Sequence, residues 1–159
     1  MKPSRFQIRI APGALVVTLA GDCIIDIALQ TRLQPGLPGA SRASEKQIAR
    51  ELAAYFNDAA APLVWPLDFD GSDFQKRVWQ ALRAIPVGRV RTYGELAGEV
   101  GGCAQAVGNA CRQNPIPIYI PCHRVVAKTG LGGFAGQTAG PRIALKRWLL
   151  QHEGVTLPA

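Results

Sequence analysis

The sequence predicts a mixed fold, α/β in composition with strands and helices segregated (α+β), in two lobes. The first thirty residues alternate apolar and polar positions between turn residues, which is typical of antiparallel strands. From residue 44 onward the apolar residues recur at helical spacing. The segment 59–66, AAAPLVWP, interrupts both patterns. We take it as the connection between an N-terminal lobe, 1–69, and a C-terminal lobe, 70–159.

The N-terminal lobe is predicted as a strand meander followed by one helix. The strands are a first with alternating Phe6, Ile8 and Ile10, a second over 15–20 and a third over 23–30. A helix is predicted to begin near Ser44, because Ser44 and Gln47 have the spacing of a capping box. Its apolar face would consist of Ile48, Leu52, Tyr55 and Phe56.

The C-terminal lobe is predicted to be helical. Capping-box pairs begin two helices, Ser72 with Gln75 and Thr92 with Glu95. The first would pack Phe74, Val78, Leu82 and Ile85 inward and end before Pro86. Helices over 93–100 and 104–113, joined at Gly101-Gly102, have the dimensions of a helix-turn-helix. A last helix from Pro141 would pack Ala144, Leu145, Trp148 and Leu149 inward.

The composition is that of a globular protein, with 48% hydrophobic and 18% charged residues. The N-terminus lacks an apolar targeting segment and no apolar run approaches membrane-span length, so we expect a cytoplasmic protein without a membrane partner. Its four cysteines should be thiols, and their spacing predicts no metal site. The net charge is +7, of which the C-terminal lobe carries +6 from eleven Lys/Arg and five Asp/Glu. This excess favours nucleic acid as a partner, although it could also serve solubility alone.

Residues 120–126, IPCHRVV, place a cysteine beside a histidine and an arginine. A buried cysteine often packs as a small hydrophobic residue. A thiol next to cationic groups instead tends to ionise, and the thiolate is a nucleophile. These seven residues alone are compatible with both interpretations.

Four segments, which follow one another along the chain, carry a specific resemblance to a known family: FQKRVWQAL, IPVGRVRTYGELA, VGNACRQNPIPIYIPCHRVV and LKRWLLQHEG. Over roughly residues 70–154 they resemble the O6-alkylguanine-DNA alkyltransferase family, whose N-terminal lobe is RNase-H-like and whose C-terminal lobe holds a helix-turn-helix. The resemblance implies a monomeric repair protein that needs no cofactor. It would flip O6-alkylguanine, or O4-alkylthymine, out of double-stranded DNA and transfer the alkyl group once, irreversibly, to its own cysteine.

The resemblance also implies roles for individual residues. Cys122 would accept the alkyl group, His123 would be its base through a water, and Glu153 would orient the histidine. Asn114 would support the turn, and Tyr93 would donate a hydrogen bond to guanine N3. The guanine pocket would be formed by Val125, Ala135, Phe134 and Pro117. The implied DNA contacts are Gln105, Ala106, Gly108, Arg112, Arg124 and Lys128.

Two departures from the family pattern matter. Gln105 stands where the family usually has an arginine that fills the gap left by the flipped nucleotide, and Ala135 stands where a serine is common. The alternatives are a non-catalytic alkylguanine-binding protein, whose relatives lack the cysteine, and a helix-turn-helix regulator. The small, apolar second helix of the pair argues against base-specific readout, which usually needs several Arg, Asn or Gln side chains. A thiol protease has no support outside PCHR.

Overall fold

The computed structural model describes residues 2–133 and 139–157. The chain forms two compact units, Met1–Phe69 and Asp70–Ala159. The three long strands precede the helices, and the two strands that lie among the helices have only two residues each, which confirms the mixed α+β class. Within the described ranges, no helix combines the length and the apolar character needed to cross a membrane.

The N-terminal unit is built on a three-stranded antiparallel meander in the order β1-β2-β3. The strands are β1 (Ser4–Ile10), β2 (Gly13–Ala20) and β3 (Cys23–Gln30). Phe6 pairs with Val17 and Val17 with Ile27, so three buried apolar side chains lie side by side across the sheet. Leu67 forms a parallel bridge with Ile24 at the free edge of β3. All three predicted strands are confirmed.

Helix α1 (Ala43–Asn57) begins near Ser44 and packs Ile48, Leu52 and Tyr55 inward as expected, whereas the predicted capping pair is wrong. Ser44 lies inside the first turn. Glu45 provides the cap, because its buried carboxylate accepts hydrogen bonds from the backbone N–H groups of Ser41, at 3.0 Å, and Arg42, at 3.1 Å. The Ser44–Gln47 spacing is therefore not used, since Glu45 at the third helical position satisfies the free amides and places the cap two residues earlier, at Arg42.

The C-terminal unit begins with three helices: α2 (Asp73–Arg83), α3 (Tyr93–Val100) and α4 (Ala104–Arg112). Both predicted capping boxes are confirmed at Ser72 and Thr92, whose side chains accept from the amides of Gln75 and Glu95. Helices α3 and α4 form the helix-turn-helix. Gly102 in its turn has φ +151°, and a Cβ there would come within 2.9 Å of the Phe74 ring. The turn therefore requires glycine at this position.

Two short strands that the sequence did not reveal connect α3 to the motif at 120–126. Strand β4 (Arg91–Thr92) pairs in parallel with β5 (Val125–Val126), which directly follows a single 3-10 turn, Cys122–Arg124. Strands of two residues have no detectable periodicity, so only the fold reveals them. Their pairing brings the start of α3 next to the cysteine.

The last helix, α5 (Pro141–His152), buries Leu145 and Leu149 as predicted, but the rest of its inner face differs. Ala144 is exposed and Trp148 is half-buried, whereas Lys146 and Leu150 are fully buried. The predicted face did not include the lysine. Gly154, at φ +85°, follows the C-terminal cap as expected.

We predict that Glu45→Ala lowers the free energy of unfolding by about 1–2 kcal/mol, because two backbone N–H groups at the start of α1 lose their acceptor. Urea denaturation followed by circular dichroism measures this loss. Lys46→Ala is the matched control, because Lys46 is the exposed neighbour on the same helix. Equal unfolding midpoints for the two variants would show that Glu45 does not cap α1.

Candidate active site

The turn before Cys122 is held in a strained conformation by one asparagine. Ile118 has φ +78°, a left-handed conformation that is costly for a β-branched residue. The Asn114 side chain spans this turn, since its Oδ1 accepts from the Ile116 N–H at 2.9 Å and its Nδ2 donates to the Ile120 carbonyl at 2.8 Å. The local sequence NPIPI thus folds into a hydrogen-bonded turn that places Cys122 in the interior.

Cys122 is buried on the 3-10 turn, and its thiol is free. Burial raises the pKa of the Cys122 thiol above its ordinary value, and this is partly offset by a hydrogen bond with the Asn114 side chain and by the positive charge of Lys146. The sulfur is therefore protonated near pH 7. A base must remove its proton if Cys122 is to act as a nucleophile.

A histidine, a glutamate and an arginine form a buried cluster next to that thiol. His123 Nε2 lies 2.9 Å from Glu153 Oε2, and Arg124 donates to both Glu153 oxygens at 2.9 Å. Burial lowers the pKa of His123, while the bond to Glu153 opposes this effect. A neutral His123 that donates from Nε2 keeps a lone pair on Nδ1, which is buried without a protein partner. This nitrogen can accept a proton.

Tyr93, the first residue of α3, lies beside Cys122 because β4 pairs with β5. Its hydroxyl donates to the Gly133 carbonyl at 3.3 Å. Gly132 has φ +73°, and a Cβ on it would come within 2.9 Å of the Tyr93 ring. Burial raises the pKa of Tyr93, and the thiols of Cys111 and Cys122 raise it further. Tyr93 is thus a neutral phenol and a hydrogen-bond donor.

Lys146 is a component of the site that the sequence prediction missed. It is fully buried on α5, and its ammonium donates three hydrogen bonds to backbone carbonyls. A usable signal was present, because Lys146 lies three, four and seven residues before Leu149, Leu150 and Glu153. This spacing places all four on one helical face.

The predicted pocket residues are only partly described. Pro117 is buried in the turn, and the carbonyl of Val125 accepts from Lys146 at 2.7 Å, which leaves one lone pair for another donor. The predicted pocket residues Phe134 and Ala135 lie outside the described residues. In the described part of the chain, no three His, Cys, Asp or Glu side chains are grouped to hold a metal ion.

Most of the predicted DNA contacts lie on the exposed side of the helix-turn-helix and the segment after β5. Gln105 and Arg112 are exposed at opposite ends of α4, Ala106 and Gly108 are partly exposed between them, and Lys128 is exposed. Arg124 is a correction. It is buried and held by Glu153 and by the Ile85 carbonyl at 2.6 Å, so it is not available to a phosphate.

Comparison with known proteins gives a family match over the C-terminal unit. A model of the family described as 6-O-methylguanine DNA methyltransferase, DNA binding domain, matches residues 73–155. A methylated-DNA–protein-cysteine methyltransferase of Salmonella typhimurium is 52% identical over 90 residues, which cover 55% of this chain and 50% of the relative. The chain thus spans about half the length of this curated relative.

Solved structures extend the similarity to the whole chain. The crystal structure of the Mycobacterium tuberculosis O6-methylguanine methyltransferase has a TM-score of 0.80 at 32% identity, covering 99% of this chain and 96% of the other. A crystal structure of Mycobacterium tuberculosis OGT in complex with DNA has a TM-score of 0.78 at 33% identity, covering 94% and 92%. The similarity therefore includes the N-terminal unit, which the family model does not cover.

The lowered pKa of His123 predicts a loss of stability in mild acid. The unfolded state takes up a proton near pH 6.5 that the folded state resists, so the stability present above pH 6.5 falls as the pH decreases below it. The slope should approach about 1.4 kcal/mol per pH unit. Urea denaturation at pH 7 and pH 5.5 measures it, and His123→Asn should flatten the dependence. An equal slope in wild type and variant would mean that His123 is already protonated in the folded protein.

Proposed function

Because this chain belongs to the 6-O-methylguanine DNA methyltransferase family, we propose that it repairs O6-alkylated guanine in DNA by transferring the alkyl group irreversibly to Cys122. O4-alkylated thymine is a further substrate. The observation that carries the proposal is the buried thiol of Cys122 beside a neutral histidine held by Glu153, within the segment that matches the family. Each molecule acts once, because the thioether formed on Cys122 is not cleaved again.

The first half of the reaction is generation of the nucleophile. The Cys122 proton passes to Nδ1 of His123 through a water, and Glu153 stabilises the imidazolium that forms. The sulfur then attacks the alkyl carbon, a sulfur–carbon bond forms and the bond from that carbon to O6 breaks. Asn114 and Lys146 favour the thiolate, since both lower the pKa of the thiol.

The second half of the reaction is stabilisation of the leaving group. The guanine takes the electron pair of the broken bond and needs a proton in return. The neutral phenol of Tyr93 donates a hydrogen bond to guanine N3. The proton lost by the thiol finally resides on the guanine. Guanine and a thioether are the products, and no cofactor takes part.

The helix-turn-helix is the proposed DNA surface. Helix α4 presents Gln105, Ala106 and Gly108. The small side chains of Ala106 and Gly108 allow the helix to approach the duplex closely. Arg112 and Lys128 contact phosphates, so binding should weaken with salt as counterions are released. In this assignment the unit Asp70–Ala159 binds DNA and performs the chemistry. We place the protein in the cytoplasm, since the acceptor thiol has to stay reduced. We also propose that it acts as a monomer.

The direct test of the proposal is mass spectrometry after incubation with a duplex containing O6-methylguanine. One methyl group should appear on the tryptic peptide 113–124, which contains Cys122 as its single cysteine. Cys122→Ser should take up no methyl group while it still binds the duplex, because a serine alkoxide is not accessible near pH 7. Cys23→Ser is the thiol control and should react like the wild type. Methylation of peptide 92–112, which holds Cys103 and Cys111, or transfer by the serine variant would refute the assignment.

A further prediction concerns Gln105. A side chain that fills the gap left by a flipped base offsets an unstacking cost of a few kcal/mol, and a guanidinium stacks better than an amide. Gln105→Arg should therefore tighten binding to alkylated duplex about tenfold, equivalent to about 1.4 kcal/mol, and leave reaction with free O6-benzylguanine nearly unchanged. Gln113→Arg adds the same charge beyond the other end of α4 and controls for general attraction. If Gln105→Arg and Gln105→Ala repair the duplex equally fast, residue 105 does not fill the gap.

A further inference from the structure

Lys146 is a lysine whose ammonium is held in the interior by backbone carbonyls. Its side chain is 0% exposed, although lysine is seldom fully buried. Nζ donates to the carbonyls of Val125 at 2.7 Å, Leu131 at 2.5 Å and Gly133 at 2.9 Å. An ammonium has three N–H donors, so every donor of Lys146 is used. These bonds offset part of the cost of burying the charge.

The three carbonyls belong to one segment, 125–133, which follows the turn that carries Cys122. Val125 lies in β5, while Leu131 and Gly133 lie at the far end of the segment. Lys146 therefore joins both ends of the segment to α5. Gly133 also accepts from the Tyr93 hydroxyl, and Gly132 packs against the Tyr93 ring. The position of Tyr93 is thus coupled to the lysine through the same segment.

The charge of Lys146 also acts on the groups that surround it. Nζ lies 5.8 Å from the centre of the Tyr93 ring, on α3. The ammonium lowers the pKa of Cys122 on the 3-10 turn and of Cys111 on α4, whereas burial, the larger effect, raises both. It also lowers the pKa of His123, in the same direction as burial. A cation here favours the thiolate and disfavours the imidazolium.

We propose that Lys146 is a positioning residue, whose ammonium fixes the segment 125–133 beside Tyr93 and favours the thiolate form of Cys122. The proposal deepens the alkyl-transfer function and rests on it for its biological meaning, although the physical coupling can be measured without any alkylated DNA. A buried cation of this kind replaces solvent as the group that stabilises the developing negative charge on sulfur.

The hydrogen bonds between Lys146 and the segment 125–133 should depend on pH. Burial lowers the pKa of Lys146 to about 8, and the neighbouring thiols Cys122 and Cys111 counteract the shift. A neutral amine has two N–H donors, so one of the three carbonyls loses its hydrogen bond when Lys146 deprotonates. The segment 125–133 should therefore loosen as the pH rises through about 8, while a thiolate on Cys122 would hold the proton on the lysine.

The main experiment measures alkylation of Cys122 by iodoacetamide, which reports the thiolate without involving DNA. The rate constant is followed on peptide 113–124 by mass spectrometry from pH 6 to 9. Lys146→Met should lower it at pH 7 about tenfold, the change in thiolate fraction produced by a one-unit rise in the thiol pKa. Lys146→Arg, which retains a positive charge, should recover most of the rate. Arg147→Met removes a charge from the exposed neighbour on the same helix and should match the wild type.

A second measurement reports the segment itself and does not depend on a variant that folds. Hydrogen exchange of wild-type amides 126–133, corrected for intrinsic rates, should show protection that falls between pH 7 and pH 9, with the amides of α2 as reference. In Lys146→Met, cleavage by trypsin after Lys128 should also be faster than in Arg147→Met.

The outcomes separate the proposal from its alternatives. A folded Lys146→Met protein that keeps the wild-type iodoacetamide rate overturns it, even if its thermal stability is reduced, because the lysine would then be only structural. If Lys146→Met does not fold, constant protection of the wild-type segment across pH 7–9 overturns it. Failure of the wild-type protein to accept a methyl group from O6-methylguanine would count against the proposed function alone, since neither measurement uses that substrate.

Discussion

The buried carboxylate of Glu153 is the group on which the arrangement around Cys122 depends. It accepts from His123 and, through both oxygens, from Arg124. Arg124 in turn donates to the carbonyl of Ile85, just beyond α2. One carboxylate at the end of α5 therefore joins α2, the 3-10 turn and α5. Loss of one partner of a buried ion pair costs about 3–5 kcal/mol, because the other charge remains in the interior. The turn that carries Cys122 is thus stabilised by the same carboxylate that holds His123.

The two buried cations of the C-terminal unit are stabilised in different ways, which decides what each can do. Arg124 is stabilised by the buried carboxylate of Glu153, which supplies its counter-charge. Lys146 is surrounded by neutral carbonyls and by thiols, and its charge can change within the range of pH that proteins experience. Both residues contribute to the +6 of this part of the sequence, yet neither is available to a phosphate. In the proposed function the positive charge that meets DNA therefore belongs to exposed residues, for which we propose Arg112 and Lys128.

The accuracy of the sequence predictions followed how local each signal is. The capping boxes at Ser72 and Thr92 are correct, since the two residues of each box are only three positions apart and the cap competes with no neighbour. The box at Ser44 is wrong because Glu45 offers a competing cap two residues earlier and is buried there. On α5, the predicted inner face left out Lys146. Burial of a charged group depends on partners that are remote in sequence, and local periodicity does not contain them.

By itself the sequence determined the three long strands, the five α-helices with their helix-turn-helix, and the family, because apolar spacing, caps and an ordered motif are properties of neighbouring residues. Only the tertiary structure decided which groups surround Cys122. Tyr93 reaches the site through the pairing of β4 with β5, and Lys146 and Glu153 reach it from α5. It also decided that Arg124 faces inward. The physical reason is that hydrogen bonds and ion pairs in the interior form between groups distant in sequence, and their strength depends on a burial that only the folded chain creates.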